Sequence, residues 1–301
     1  MNKNSKKMNR RDALKAMGCI VATTALSSTG LTSLAATTGN DMEKSKKRLV
    51  FYFTATGNSL YAARAFSAEP ISIPQALKDG ALDYEADEIG IVFPDFAAAA
   101  PLMVREFVNK ARLKARYIFS IITYGNYAAN VADWWNEYCL EQGLTVHYIN
   151  TLLMVDNYLP VFDMNEQTRI DKHIPEALAQ LVADVESQRQ YISHVEIDDQ
   201  MRGWLKRLQE NHFPMEAERL LRLNVEACIA CGTCAAVCPH GNFSMTDSRA
   251  EFSGPCEYCL ACVHACPPKA LTLERERNPM ARYRNENVSL VDIKKANNQN
   301  R

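Results

Sequence analysis

Residues 228–239 (CIACGTCAAVCP) and residues 256–267 (CEYCLACVHACP) decide the fold of the C-terminal part of this 301-residue chain. Each run spaces four cysteines as C-x₂-C-x₂-C-x₃-C and then continues with proline. Every cysteine of the second run lies 28 residues beyond its counterpart in the first, which indicates an internal duplication. The two runs hold eight of the ten cysteines of the chain, so these eight thiols are expected to share one chemical role.

The spacing is typical of bacterial-type iron–sulfur ligation, in which the last cysteine of each run binds the cluster of the other run. It therefore predicts two [4Fe–4S] clusters in a small α+β ferredoxin domain. A disulfide framework is typical of small secreted domains instead, and a zinc site uses four ligands in two pairs. The predicted ligands of one cluster are Cys228, Cys231, Cys234 and Cys266, and those of the other are Cys256, Cys259, Cys262 and Cys238.

A second informative stretch, residues 49–59 (LVFYFTATGNS), passes from an apolar, aromatic segment into a hydroxyl-rich loop. The apolar segment predicts a buried parallel strand, and a helical pattern follows the loop. Backbone N–H groups at such a junction can hold a phosphate. Because no lysine follows the glycine and the further glycines of a dinucleotide loop are missing, the loop suits the single phosphate of FMN. The predicted phosphate-binding residues are Thr54, Ala55, Thr56, Gly57, Asn58 and Ser59.

Strand and helix patterns alternate after this loop. Strands are predicted near residues 70–73, 89–93, 117–123 and 146–153, and helices near residues 101–112 and 128–142. Residues 165–190 are mostly helical, with Pro175 expected to kink or restart the helix. This alternation predicts an α/β flavodoxin-like doubly wound parallel sheet, in which a flavin binds where the strand order reverses.

With these motifs the chain resembles the flavodoxin–ferredoxin fusion family, a flavodoxin-like domain followed by a two-cluster ferredoxin, over about residues 48–297. The resemblance rests on FYFTATGNSLYAAR, IGIVFPDFAAAAPLMVREF, YIFSIITYGNYAANV and the two cysteine runs. It implies FMN on the loop of residues 54–59, with the flavin ring between two later strand-end loops. An alanine run, residues 97–100, replaces the glycine and bulky aromatic residue more often found in the first of these loops. The implied ring contacts are Pro94, Phe96, Tyr124, Gly125 and Tyr127.

The amino terminus has a basic start and a motif around Arg10 and Arg11 that resembles the twin-arginine export signal. It predicts an exported protein, periplasmic or at the outer face of the cytoplasmic membrane, with no membrane span in the mature chain. Ser289 and Asp292 form a capping-box pattern before a short helix, and disorder is expected from Asn297 onward. The predicted segments are a signal peptide (1–35), a linker (36–47), the flavodoxin-like domain (48–192), a connecting segment (193–223), the ferredoxin domain (224–275) and a C-terminal tail (276–301).

These patterns favour an exported electron-transfer protein that passes electrons between two clusters and FMN, as a carrier or as an oxidoreductase module. Two alternatives stay open: a flavin-dependent reductase with its own small substrate, and a ferredoxin with an empty flavodoxin-like docking scaffold. The loops offer no convincing proton donor, which disfavours the reductase.

The expected partner is a redox protein of unknown identity. A formal net charge of −1 and the lack of a basic patch argue against nucleic acid. Cys139 is expected to be a buried inert thiol, and His240 and His264 are expected beside the clusters rather than as ligands.

Overall fold

The computed structural model describes residues 46–211 and 214–299, which lie in one structural unit. The predicted signal peptide, with Arg10 and Arg11, lies outside the described residues, as does nearly all of the predicted linker. In the described part, no helix is long and apolar enough to span a bilayer.

The N-terminal strands are β1 (Arg48–Tyr52), β2 (Ile71–Ser72), β3 (Asp83–Glu85), β4 (Glu88–Pro94), β5 (Arg112–Lys114), β6 (Tyr117–Tyr124), β7 (Tyr148–Leu153) and β8 (Tyr191–Ile192). The N-terminal helices are α1 (Asn58–Ala63), α2 (Ile73–Asp79), α3 (Leu102–Lys110), α4 (Val131–Glu141), α5 (Met164–Gln167), α6 (Ile174–Glu186) and α7 (Asp199–Asn211).

Six parallel strands form the main sheet in the order β2-β1-β4-β6-β7-β8. Alternate side chains of β1 and β6 enter two separate hydrophobic cores, one on each face, so both of these strands are buried. The chain leaves β1 towards β2 on one side and returns to β4 on the other, and the strand order reverses there. This is the predicted α/β doubly wound sheet, of the Rossmann or flavodoxin-like type.

One detail differs from the sequence prediction. The short strand β8 extends the sheet beyond β7, directly after the predicted helical segment of residues 165–190, where no strand was expected. Pro175 restarts the helix, which is one of the two expected outcomes: it occupies the first turn of α6, where a missing N–H leaves no helical hydrogen bond unmade.

The C-terminal part repeats one backbone conformation. Helix α9 begins at Thr233 and α10 begins at Ala261, again 28 residues apart. Positive φ angles recur at the same offset, in the pairs Ala230 and Tyr258, Gly232 and Leu260, and Gly241 and Lys269. The remaining strands are β9 (Met215–Glu216), β10 (Leu221–Leu223), β11 (Phe243–Met245), β12 (Ala250–Phe252), β13 (Pro255–Cys256) and β14 (Leu271–Leu273), and the remaining helices are α8 (Ala217–Leu220), α9 (Thr233–Val237), α10 (Ala261–Ala265) and α11 (Leu290–Asn297). These strands form three antiparallel pairs: β10 with β14, β11 with β12, and β13 with β9.

The C-terminal tail returns to the N-terminal part and packs against it. Ser289 and Asp292 form the predicted capping box at the start of α11. The expected disorder from Asn297 is wrong, because this side chain is fully buried. Its Nδ2 donates to the carbonyl oxygen of Thr54 at 2.9 Å and to that of Val237 at 3.3 Å. A polar sequence at this position satisfies buried backbone groups rather than contacting solvent.

Candidate functional site

A cavity of about 550 Å³ lies at the carboxyl ends of β1, β4, β6 and β7, at the reversal of strand order. The lining includes side chains from all three predicted loops. Helix α7 and the C-terminal part close the cavity from the other side, through Trp204, Leu205, Leu208, Tyr258, Cys259 and Leu260. Ten of the eleven predicted flavin-site residues line it: Thr54, Ala55, Thr56, Asn58, Ser59, Pro94, Phe96, Tyr124, Gly125 and Tyr127.

Gly57, the eleventh, packs against the tail instead. Its φ of 103° places it in the region that favours glycine, and it forms the N-cap of α1. A Cβ atom there would lie 2.9 Å from Val288 Cβ and 3.1 Å from Asn285 Cβ. The neighbours closest to an added Cβ are thus side chains of the tail, and the predicted contact of Gly57 with a phosphate stays a prediction.

The hydroxyl groups of the loop already accept or share hydrogen bonds within the protein. Thr54 Oγ1 accepts from Gly57 N–H at 3.1 Å, and Thr56 Oγ1 accepts from Asn157 Nδ2 at 2.6 Å. Ser59 Oγ lies 2.8 Å from Thr123 Oγ1. A hydroxyl that accepts a hydrogen bond keeps its own proton, so Thr54 and Thr56 can still donate to a ligand.

Asn58 connects the loop to the tail. Its Nδ2 donates to the carbonyl oxygen of Val155 at 3.1 Å. Its Oδ1 accepts from the Tyr283 hydroxyl at 2.7 Å and from Asn285 Nδ2 at 3.2 Å. The amide oxygen thus has two donors, and the side chain holds the loop in place.

The second loop carries a carboxyl group, Asp95, that was not among the predicted ring contacts. Asp95 lines the cavity, and its Oδ1 is buried without a hydrogen-bond partner. Ala97 and Ala98, which follow Phe96 in the same loop, both have a φ of 59°, a strained conformation for alanine. Burial raises the pKa of Asp95 to about 8, and the nearby charge of Asp156 adds to the rise. Hydrogen bonds from the backbone N–H groups of Ala98 and Ala99 oppose it.

The loop after β7 contains a second carboxyl group that lines the cavity and was not among the predicted site residues. Asp156 follows β7 and packs on Gly125, where a Cβ atom would lie 2.5 Å from Asp156 Cβ. Burial raises the pKa of Asp156, although the Tyr158 N–H and the charge of Lys172 oppose the rise. Lys172 Nζ donates to the carbonyl oxygen of Gly125. Both carboxyl groups follow carboxyl ends of parallel strands, and that position was the available signal.

The eight cysteines surround two smaller cavities, each with three cysteines of one run and the last of the other. We call them the outer site (Cys228, Cys231, Cys234 and Cys266) and the inner site (Cys238, Cys256, Cys259 and Cys262). Among the described residues, no three His, Cys, Asp or Glu side chains are grouped as a single metal ion requires. This donor set of four thiols around a cavity fits a cluster better than a lone ion.

Backbone N–H groups point at the sulfur atoms of the inner site. Asn242 N–H donates to Cys238 Sγ at 3.4 Å, and Tyr258 N–H donates to Cys256 Sγ at 3.3 Å. The repeated positive φ angles allow this, since alternation of backbone hand turns successive N–H groups to one side.

The inner site adjoins the large cavity. Cys259 lines both the four-thiol cavity and the 550 Å³ cavity, whereas no cysteine of the outer site does. Next to it, the buried Glu257 accepts from Leu102 N–H at the start of α3 at 2.8 Å and lies 2.8 Å from His240 Nε2. Burial would lower the pKa of His240, but its hydrogen bond to Glu257 outweighs that effect and raises it.

His264 links α10, beside the inner site, to the loop of residues 54–59 through Asn157. Its Nδ1 accepts from Tyr283 N–H at 3.0 Å, so the neutral ring carries its proton on Nε2, 2.9 Å from the carbonyl oxygen of Asn157. Burial lowers the pKa of His264 to about 4. Because Asn157 also donates to Thr56, a continuous chain of hydrogen bonds runs from α10 to the loop. Cys139 is buried as expected, and burial raises the pKa of its thiol.

Comparison with known proteins identifies the C-terminal part. Residues 220–267 match the family model of the 4Fe-4S dicluster domain. The chain therefore carries an iron–sulfur domain, which supports a role in electron transfer. None of the curated proteins matches the chain. Among solved structures, the Trp repressor binding protein from Bacillus subtilis is similar to it, with a TM-score of 0.30 and 9% identity over 46% of this chain and 94% of that one. A likeness this weak carries no argument, and the α/β assignment rests on the strand order.

Proposed function

We propose that the chain is an exported electron-transfer protein in which two [4Fe–4S] clusters exchange electrons with an FMN in the large cavity. The observation that carries the proposal is the position of Cys259, which lines both the inner site and that cavity. Electrons from a partner would enter the outer site, pass to the inner site and reach the cavity, or follow the reverse order. Cys231 of the outer site is exposed, which supports partner contact there.

The residues of the cavity fit FMN in three respects. The hydroxyl groups of Thr54 and Thr56 keep protons to donate, and the first N–H groups of α1 have no acceptor within the helix. No lysine, arginine or histidine is among the described residues that line the cavity, so N–H and O–H groups would hold the phosphate. Phe96, Tyr124 and Tyr127 offer aromatic surface to the ring. The flavin would convert single electrons into pairs.

The test uses anaerobically purified protein, with iron, sulfide and flavin measured on one sample. We expect about eight irons and eight sulfides per chain. Titration with FMN, followed by flavin fluorescence, should show binding. Thr56→Val should weaken it by about tenfold to a hundredfold, since a hydrogen bond to a charged group contributes roughly 1.5–3 kcal/mol. Thr151→Val, on β7 and outside the cavity lining, is the matched control. If millimolar FMN fails to bind cluster-loaded protein, the empty docking scaffold becomes the better interpretation.

A flavin-dependent reductase with its own small substrate is the second candidate. The observation in its favour is Asp95, a carboxyl group on the cavity wall with one unpartnered oxygen. Substrate-dependent oxidation of reduced, FMN-loaded protein would distinguish a reductase from a carrier. A carrier should be oxidised only by another redox protein.

Export is proposed from the twin-arginine-like motif alone. The twin-arginine route carries folded proteins, which suits clusters and flavin assembled before transport. Changing Arg10 and Arg11 together to lysine should leave the cluster-loaded precursor in the cytoplasm. Unchanged export of that variant would refute the route and leave the electron-transfer proposal intact.

A further inference from the structure

Asp95 occupies an unusual position for an acidic side chain. It lies on the wall of the cavity, and its Oδ1 is buried with no hydrogen-bond partner. An unpartnered buried carboxylate oxygen is costly, whereas a protonated carboxyl group can donate its O–H to a ligand. The unmet hydrogen bond therefore points to a molecule that occupies the cavity.

The surrounding charges also favour a proton on Asp95. Among the described residues that line the cavity, the only other carboxyl group is Asp156, which follows β7. Lys172 acts on Asp156 and is not part of the lining. Helix α7 contributes uncharged side chains, and the remaining titratable lining residues are Tyr124, Tyr127, Tyr158, Tyr258 and Cys259. No cation in the lining offsets a negative charge on Asp95.

The backbone beside Asp95 is strained. Ala97 and Ala98 both have a φ of 59°, and the N–H groups of Ala98 and Ala99 turn back towards the carboxyl group. Such strain persists where the surroundings enforce it, and it concentrates at functional sites. Here it fixes the carboxyl group beside the cavity.

We propose that Asp95 is the acid–base group of this cavity: it donates a proton to the bound flavin when two electrons arrive, and it takes the proton back when they leave. The inference rests on the proposed function, since the electrons come from the two clusters, one from each. The O–H bond of Asp95 would break as its proton passes to the flavin with the two electrons, and the carboxylate would stay ionised until that proton returns when the electrons leave. The raised pKa of Asp95, about 8, means that the proton is present at neutral pH.

Proton linkage gives a test that needs no turnover. Flavin in the cavity displaces water and makes ionisation of Asp95 less favourable, so FMN binds best to the protonated protein. The Kd for FMN should rise above pH about 8, approaching tenfold per pH unit. Asp95→Asn should lose this rise, while any change near pH about 6 that comes from the FMN phosphate should be the same in both proteins.

The experiment is a fluorescence titration of cluster-loaded protein with FMN over about two pH units on either side of 8. Calorimetry in two buffers of different ionisation enthalpy should detect proton uptake on binding in the wild type above pH 8 and none in Asp95→Asn. Asp156→Asn removes a neighbouring negative charge, so it should lower the pKa of Asp95 and move the onset to lower pH. Flavin reduction by the clusters should be about 10²–10⁴ times slower in Asp95→Asn.

The outcomes separate the two proposals. If FMN binds and its Kd varies with pH equally in wild type and Asp95→Asn, the role of Asp95 is overturned and the flavin site stands. If FMN binds at no pH, both fail. Should Asp95→Asn fail to load clusters, Asp156→Asn decides, because an unmoved onset contradicts a proton held on Asp95.

Discussion

The outer and inner sites come from one duplicated segment, yet their surroundings differ at equivalent positions. Ile229 beside the outer site is 65% exposed, whereas its counterpart Glu257 beside the inner site is 1% exposed. Ala236 corresponds to His264, and only the histidine reaches the N-terminal part, through Asn157. The cysteines and the positive φ angles repeat, while two residues that differ, Glu257 and His264, contact the N-terminal part through Leu102 and Asn157. A duplication can thus keep its ligands and adapt one copy for docking.

The largest expected effect is the loss of one cluster when the last cysteine of either run is replaced by serine. Cys238→Ser should abolish the cluster of the inner site, and Cys266→Ser should abolish that of the outer site. Each variant should keep about four of about eight irons. Electron paramagnetic resonance with iron analysis can distinguish the two losses. FMN in the cavity should stay reducible by the remaining inner cluster in Cys266→Ser only, and loss of the other cluster in either variant would contradict the crossed arrangement.

Reciprocal exchange of the equivalent residues tests the difference directly. Glu257→Ile leaves Leu102 N–H and His240 without their acceptor, and each such hydrogen bond to a charged group contributes about 1.5–3 kcal/mol. We expect a loss of about 3–6 kcal/mol in the free energy of unfolding. Ile229→Glu, at an exposed position, should change it by less than about 0.5 kcal/mol. Denaturant unfolding of cluster-loaded protein measures both, and equal losses would show that the sites do not differ in docking.

Replacing His264 should break the hydrogen bonds that link α10, beside the inner site, to the loop of residues 54–59. His264→Ala leaves Asn157 O and Tyr283 N–H buried without partners, at about 1–3 kcal/mol each. The free energy of unfolding should fall by about 2–6 kcal/mol, and FMN should bind less tightly because Asn157 also holds Thr56. His194→Ala is the matched control, since that histidine is exposed and pairs only with Asp133. An unchanged FMN affinity would show that the hydrogen-bond chain does not position the loop.

Gly57→Ala should give a smaller loss, from two sources. The φ of 103° disfavours alanine by about 1–2 kcal/mol, and the new Cβ meets Val288 at 2.9 Å. Gly143→Ala isolates the first source, because its φ is 74° and nothing lies within 4 Å of its Cβ. Thermal unfolding should rank Gly57→Ala below Gly143→Ala, and Val288→Ala should recover part of the difference. No recovery would mean that the tail does not restrict this glycine.

Local spacing explains what the sequence could predict. The grouping of Cys238 with the second run follows from a pattern contained in 39 residues, 228–266, and the structure brings those thiols together. The apolar runs of β4 and β6 likewise predicted buried parallel strands. The hydroxyl loop after β1 was placed correctly at the edge of the sheet.

Long-range contacts explain what was missed. Asp95 was not selected as a candidate proton donor, since its position on the wall of a cavity depends on α7 and the C-terminal part closing that cavity. Asn297 looked solvent-exposed by composition, but its partners Thr54 and Val237 lie far away in sequence. The close packing of Gly57 against Val288 of the tail was likewise not expected. None of these contacts leaves a periodic pattern in the sequence.

The contact between Asn297 and Thr54 can form only late in the synthesis of the chain. The two residues are 243 positions apart, and a ribosome adding about 5–20 residues per second needs roughly 12–50 s to cover that distance. During this time the sheet can form, but the Thr54 carbonyl group still lacks its donor Asn297. The Asn58 amide oxygen likewise lacks its donors Tyr283 and Asn285. The loop of residues 54–59 is therefore expected to reach its final hydrogen-bonded state after translation rather than during it.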